Sequence, residues 1–164
     1  MKDDYVLQMI GRKNKLLIKD YLSSIEDIKK VVEKSKIIIL GGAGSIGSQV
    51  LYEIFQMEPL LIHVVDINEN GLVEVVRNIR SSLGYIKGEF QTFAIDIGGK
   101  DFDKMVNKNG GYDIWMNFAA LKHVRSEKDP YTLMRLVEVN IINTYKTLIL
   151  AKNTKALKYF AVST

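Results

Sequence analysis

The chemistry most legible in this chain lies in Gly41-Gly42-Ala43-Gly44-Ser45-Ile46-Gly47, which follows the apolar run Ile37-Ile38-Ile39-Leu40. An apolar run, a glycine turn and a helical pattern in that order form a phosphate cradle. Glycine permits the tight turn, a bare backbone at Gly44 lets a pyrophosphate come close, and Gly47 lets the helix pack against the strand. The N–H groups and positive dipole end of the helix then face the anion. A GxGxxG spelling alone is weak, and a structural turn without ligand is the competing reading. Here a strand precedes it, a helix follows, and Asp66 closes the next apolar run about 20 positions past Gly47, where a ribose-binding acid is expected. The reading is a dinucleotide site. A carboxylate at Asp66 accepts from a free 2′-hydroxyl and repels a 2′-phosphate, and Ile67, Asn68, Glu69 and Asn70 include no arginine to offset it, so NAD is favoured over NADP. NADP stays open, because Arg77 lies within reach of the same helix start.

Other chemistries are restricted by what the chain lacks. With no cysteine it has no disulfide, thiolate nucleophile or thiolate metal site, and its two histidines stand too far apart to make a metal site plausible. Asp96, at the end of a third apolar run, is placed to contact an adenine; capping the turn at Gly98-Gly99 explains it equally well.

These residues need a scaffold, and the pattern from Lys36 onward supplies one. Short apolar strands are predicted at Lys36–Leu40, Leu61–Val65, Glu89–Ile95, Asp113–Phe118 and Leu157–Val162. Amphipathic helices are predicted between them at Ser45–Gln56, Asn70–Leu83, Lys100–Val106 and Pro130–Lys152. Strand–helix alternation with right-handed crossovers gives an α/β fold, a Rossmann-type doubly wound parallel sheet. Residues 1–34 read as an N-terminal helical extension, with a helix over Leu16–Val32 and a capping signal, Ser24 with Asp27, that predicts a restart within it. Residues 35–164 read as the nucleotide-binding domain. Because the pattern stops on a fifth strand with no covering helix, the 164-residue chain is expected to be a fragment whose catalytic and substrate-binding remainder lies beyond it.

Composition agrees with a globular domain: 47% apolar residues, 26% charged and a net charge of +4. No apolar run approaches the ~18 residues of a membrane span, and no secretory signal is visible, so a cytoplasmic location is expected. The positive charge is too dispersed to mark a nucleic-acid surface.

The loop GGAGSIG, the stretch Phe118-Ala119-Ala120-Leu121-Lys122-His123-Val124, the pair Val139-Asn140 and the terminal Ala161-Val162-Ser163-Thr164 together resemble the extended short-chain dehydrogenase/reductases. More narrowly they resemble their polysaccharide-biosynthesis branch, the UDP-N-acetylglucosamine 4,6-dehydratases. Ile10-Gly11-Arg12 also resembles the segment preceding the nucleotide-binding domain in larger, membrane-anchored relatives. The resemblance implies that Gly41, Gly44 and Gly47, with Ser45 and Ile46 between them, hold the pyrophosphate, that Asp66 lies at the adenosine ribose, and that Asp96 and Ile97 lie at the adenine. It places Ala119, Ala120 and Leu121 beneath the nicotinamide-side ribose, and Lys122 and His123 at the mouth of the site facing cofactor or substrate. The competing readings are a surface lysine and a hydrogen-bonded packing histidine. Asn140, poorly suited to a helix interior, is implied on the cofactor side through a hydrogen bond to the neighbouring strand or loop, against a plain solvent-facing asparagine. Thr164 is implied as the catalytic threonine against the sugar's 4-hydroxyl, with Ser163 adjoining the same site as a cofactor-binding residue.

For the intact protein the resemblance implies a UDP-sugar substrate, oxidation at C4, elimination of water across C5 and C6, and return of the hydride at C6. It also implies homo-oligomers formed through helices flanking the sheet. The 164-residue chain alone is expected to be inactive. An epimerase of the same fold and a non-catalytic dinucleotide-sensing domain are the alternatives.

Overall fold

Every side chain from Ile37 to Leu40 is shut away from solvent, which requires cover on both faces of the strand and a partner on each edge. A computed structural model of the chain, describing residues 2–13, 16–122 and 129–162, provides all of these. The strands β1 (Lys36–Leu40), β2 (Leu61–Asp66), β3 (Glu89–Ala94), β4 (Ile114–Asn117) and β5 (Lys158–Ala161) form one parallel sheet in the order β3-β2-β1-β4-β5. β1 is central, in register with Leu61–Val65 on one side and Ile114–Asn117 on the other.

Residues Met1–Val31 and Val32–Thr164 are two compact units. The first contains α1 (Lys2–Met9), which the sequence pattern did not predict, and α2 (Ile18–Val32), whose last residue belongs to the second unit. α2 runs through Ser24 without the predicted restart. Asp27, the acid of the supposed capping signal, accepts instead from Lys30 Nζ at 3.1 Å.

In the second unit, α3 (Ser45–Phe55) and α4 (Glu69–Ser82) lie on one face of the sheet, where Leu51, Ile54, Leu72 and Ile79 pack on Ile37, Ile39, Ile62 and Val64. On the other face α5 (Lys100–Lys108) and α7 (Asn143–Asn153) bring Phe102, Val106 and Ala151 onto Ile38, Leu40, Val65 and Trp115. Successive residues of a strand face opposite sides, so a strand covered on both must be apolar throughout, which is why β1 reads as an unbroken run. Each buried Ile or Leu contributes roughly 1.5–3 kcal/mol. His63 interrupts the apolar run of β2 yet is only 1% exposed. Its Nδ1 shares a hydrogen bond with the Tyr112 hydroxyl (2.7 Å), and Nε2 lies 3.4 Å from Glu89 Oε1. Burial lowers the pKa of His63 in spite of Glu89 and keeps it neutral, while burial raises that of Tyr112.

The predicted helix Pro130–Lys152 is present but not uniform. α6 (Pro130–Val137) begins with Pro130 behind the capping Asp129, then opens into a π-helical segment, Glu138–Ile142, before continuing as α7. The Asn143 N–H donates to Glu138 O, five residues back. Wide turns of this kind are frequent at functional sites.

Candidate functional site

The strand order reverses about β1, with β2 on one side and β4 on the other. A ligand of an open α/β sheet sits at such a switch point, outside the carboxyl ends of the strands. A cleft of about 430 Å³ opens there, walled by the glycine loop, the ends of β2 and β3, the loop after β4 and one side of α6 and the π segment.

Two glycines are fixed in the loop by steric necessity. Gly41 has φ +75°, and a Cβ on it would fall 2.5 Å from Ala119 N in the loop after β4. A Cβ on Gly47 would fall 2.3 Å from Gly41 O. Gly44, the residue capping α3, has an ordinary φ of −71°, and a Cβ there would meet only Gly41 O, at 3.3 Å. A Cβ at Gly44 is thus a tight contact that a few tenths of an ångström of movement would relieve, far milder than at Gly41 or Gly47, and Gly44 lines the cleft. Gly44 gives α3 no side-chain cap, and the first turn, Ser45–Gly47 with Ser48, holds no acid. The Ser48 N–H donates to Gly44 O at 2.9 Å, and the amides of Ser45–Gly47 ahead of it are left to be met from outside the helix.

Asp66 ends β2 on the cleft wall and ties two loops together. Oδ2 accepts from Ala43 N and Oδ1 from Asn68 N, both at 2.9 Å. Asn68 in turn caps α4 by accepting from Gly71 N at 2.9 Å. A carboxylate has about four lone-pair sites, so two remain for hydroxyl donors in the cleft.

Asp96 and Ile97 line the far end of the cleft. Asp96 Oδ1 accepts from Gly98 N at 2.8 Å, the turn-capping arrangement, while Oδ2 receives Arg135 Nη2 at 2.8 Å. Burial alone would raise the Asp96 pKa, but hydrogen bonds from Arg135 and Gly98 and the charges of Arg135 and Lys146 outweigh it and hold the group below the ordinary carboxylate value. Lys146 secures the same turn from beneath, its Nζ reaching the carbonyls of Ile97 (3.3 Å), Gly98 (3.0 Å) and Gly99 (3.3 Å) and Asp103 Oδ1 at 2.8 Å.

Ala119, Ala120 and Leu121 form the opposite wall. Ala119 N donates to Asn117 Oδ1 (3.0 Å), and Asn117 Nδ2 is anchored on Thr144 Oγ1 (3.3 Å) and the Tyr159 hydroxyl (3.2 Å). Asn140 binds Leu121 twice, accepting from its N–H and donating to its carbonyl, both at 2.8 Å. The asparagine thus mimics a strand partner for the loop, and its amide is committed to the loop rather than turned into the cleft. Lys122 is exposed and lies outside the lining residues. His123, Ser163 and Thr164 lie outside the described residues. Among the described residues no cluster of acids and histidines could hold a metal ion, and no helix is long and apolar enough to cross a membrane.

Sequence reasoning missed Arg135, Asn68, Phe118 and Val139 on the cleft wall, and Asn117 and Lys146 behind it. Asn68, directly ahead of a helical pattern, was open to recognition as a cap.

The profile of the family described as "Polysaccharide biosynthesis protein" matches residues 37–164. An uncharacterised membrane protein of Methanocaldococcus jannaschii is 29% identical over 140 residues, 85% of this chain and 39% of that protein. A bifunctional UDP-glucose and UDP-xylose 4-epimerase of Pisum sativum is 28% identical over 72% of this chain and 34% of its own length. The chain therefore spans little more than a third of the curated relatives it matches. Among solved structures, the UDP-glucose 4-epimerase of Stenotrophomonas maltophila, with bound NAD and a formylated UDP-arabinopyranose, superposes with a TM-score of 0.63. It is 23% identical over 79% of this chain and 37% of that one, a likeness of fold.

Proposed function

The chain belongs to the polysaccharide biosynthesis protein family across residues 37–164, and from that premise we propose that it is the NAD-holding part of a nucleotide-sugar 4,6-dehydratase. The observation that carries the cofactor reading is the meeting, in one cleft, of an uncapped helix start behind Gly44 and a carboxylate, Asp66, fastened to the same loop through Ala43 N. A pyrophosphate fits the bare backbone at Gly44, and an adenosine ribose fits the two open lone pairs of Asp66. The like charge of Asp66 disfavours a 2′-phosphate, so the cofactor is NAD rather than NADP.

Within this reading the first-turn amides of Ser45, Ile46 and Gly47 hold the diphosphate, Asp66 orients the ribose, and Asp96 and Ile97 receive the adenine. Ala119–Leu121, kept in place by Asn117 and Asn140, support the nicotinamide end. Bound there, the nicotinamide supplies an acceptor and later a donor of hydride. The substrate is a UDP-sugar, UDP-N-acetylglucosamine in the first instance, oxidised at C4, losing water across C5 and C6 and reduced at C6. Thr164 is assigned to the sugar's 4-hydroxyl with Ser163 beside it, and Lys122 and His123 to the sugar side. Withdrawing the hydroxyl proton calls for a base poised near neutral pH.

A second reading, an epimerase at C4, is favoured by the pea relative and the Stenotrophomonas structure, both named as 4-epimerases. One incubation separates the two. The protein containing these residues together with any sequence that follows them is given UDP-N-acetylglucosamine and NAD, and the product is weighed. A 4-keto-6-deoxy sugar, lighter by one water, supports the dehydratase. An isomer of unchanged mass overturns it in favour of the epimerase, and no reaction with folded, NAD-loaded protein removes both.

A further inference from the structure

Arg135 stands on the cleft wall although no part of the dinucleotide reading assigns it a task. It is held in place from both sides, Nη2 donating to Asp96 Oδ2 and Nη1 to Glu138 Oε2, each at 2.8 Å. Glu138 opens the π-helical segment, so the arginine and its second anchor both belong to the helix that carries Asn140. The side chains of Arg135 and Asp96 are 38% and 39% exposed, open enough to meet a ligand. A guanidinium has five N–H donors; two are spent here and three remain. Asp96 has likewise spent two of its roughly four lone-pair sites, on Gly98 N and Arg135.

An acceptor-only group fixed beside a donor-only group reads a ligand edge on which a donor and an acceptor stand side by side. The 6-amino group of adenine and its neighbouring ring nitrogen form such an edge. A 6-oxopurine puts an acceptor where the amine stood, against the carboxylate. With the ribose fixed at Asp66, the base cannot slide by one atom to restore the match.

We propose that Arg135 is a specificity-determining residue: it locks the Asp96 carboxylate toward the cleft and adds the adjacent donor, so that the site selects an aminopurine dinucleotide over its hypoxanthine analogue. This rests on the dinucleotide reading and deepens it. Once a base covers this pair the site discriminates, because the wrong ligand leaves both members desolvated and unpaired.

The test is titration calorimetry of the 164-residue chain with NAD and with nicotinamide hypoxanthine dinucleotide, for the wild type, Arg135→Met and Arg135→Lys, with circular dichroism to establish folding. The wild type binds NAD at least about tenfold more tightly than the hypoxanthine analogue. Arg135→Met loses most of that ratio through weaker binding of NAD alone. Arg135→Lys, which keeps the charge but not the paired donors, gives an intermediate ratio. Equal affinity of the wild type for the two dinucleotides overturns the proposal while leaving the NAD site standing. So does a ratio unchanged in either variant, or equal weakening of both ligands, which a merely structural arginine would give. A folded wild type that binds neither overturns the dinucleotide reading itself.

Discussion

Replacing Gly44 and Gly47 separately by alanine distinguishes the glycine needed for ligand from the glycine needed for folding. At Gly47 the new Cβ would lie 2.3 Å from Gly41 O and 3.0 Å from both Gly41 C and Gly42 Cα. All three are backbone atoms, so the start of α3 must move away from the loop. Overpacking of this kind costs about 1–3 kcal/mol, which for a chain of this size lowers the Tm by roughly 2–12 °C. At Gly44 the nearest atom is 3.3 Å away and φ is −71°, so Gly44→Ala should stay within about 1 kcal/mol of the wild type, the difference expected for exchanging glycine and alanine at a helix cap. Its methyl group nevertheless occupies the face proposed to receive the pyrophosphate. Displacing the diphosphate from one charge-assisted hydrogen bond costs on the order of 1.5–3 kcal/mol, or roughly 10- to 150-fold in Kd. Thermal melts followed by circular dichroism measure the first quantity and calorimetric titration with NAD the second. Gly44→Ala is thus expected to melt within about 4 °C of the wild type and bind poorly, whereas Gly47→Ala melts earlier than Gly44→Ala and also binds poorly. Wild-type affinity in Gly44→Ala, or equal loss of stability in the two variants, would refute the assignment of Gly44 to the ligand.

Asn140→Ala removes both Leu121 hydrogen bonds, with an expected cost of about 1–3 kcal/mol, and should weaken NAD binding more than it alters the Kd for ADP, which lacks the nicotinamide half. Asp66→Asn keeps one acceptor for the loop amides but removes the charge opposing a 2′-phosphate. The preference for NAD over NADP, read from paired titrations, should fall roughly tenfold while the melting temperature drops. His63 has a folded pKa below its ordinary value near 6.5, so the unfolded chain takes up the proton first. Stability is then full above about pH 6.5 and declines as the pH falls below that value. Melting temperatures between pH 8 and 5 should show the decline, and His63→Phe should flatten it.

The sheet was legible because β1 and β2 are buried on both faces, with Gly41 closing β1 and Pro59 and Asp66 flanking the apolar run of β2, so the apolar runs mark the strands almost to the residue. The helix beginning at Pro130 was legible too, from a proline suited to the first turn and from its apolar spacing. Its wide turn at Glu138–Ile142 was not, since EVNII has no composition that distinguishes a π turn from an α turn. In the site, the glycine loop and Asp66 were visible because a local spacing rule covers them. Arg135 was invisible because its partner, Asp96, is 39 positions away, and only the crossover of the chain between β3 and α6 makes them neighbours. Asn140 drew notice as a helix misfit, but the direction of its bonds, toward Leu121, comes from the fold alone. The supposed cap at Ser24 failed because the apolar helical spacing runs on through it, from Ile18 to Val32.

The chain has a single tryptophan, and Trp115 is fully buried in the middle of β4, its ring beside Phe102, Tyr112 and Tyr159 and its Nε1–H donating to Tyr112 O at 3.2 Å. From there the strand runs directly into the Ala119–Leu121 wall. One optical probe, insulated from water, thus lies a few residues from the wall proposed to support the nicotinamide. Tryptophan emits where a reduced nicotinamide absorbs, so arrival of NADH should quench Trp115 by energy transfer while NAD leaves it bright. Binding of the reduced and the oxidised dinucleotide can then be told apart in unlabelled protein.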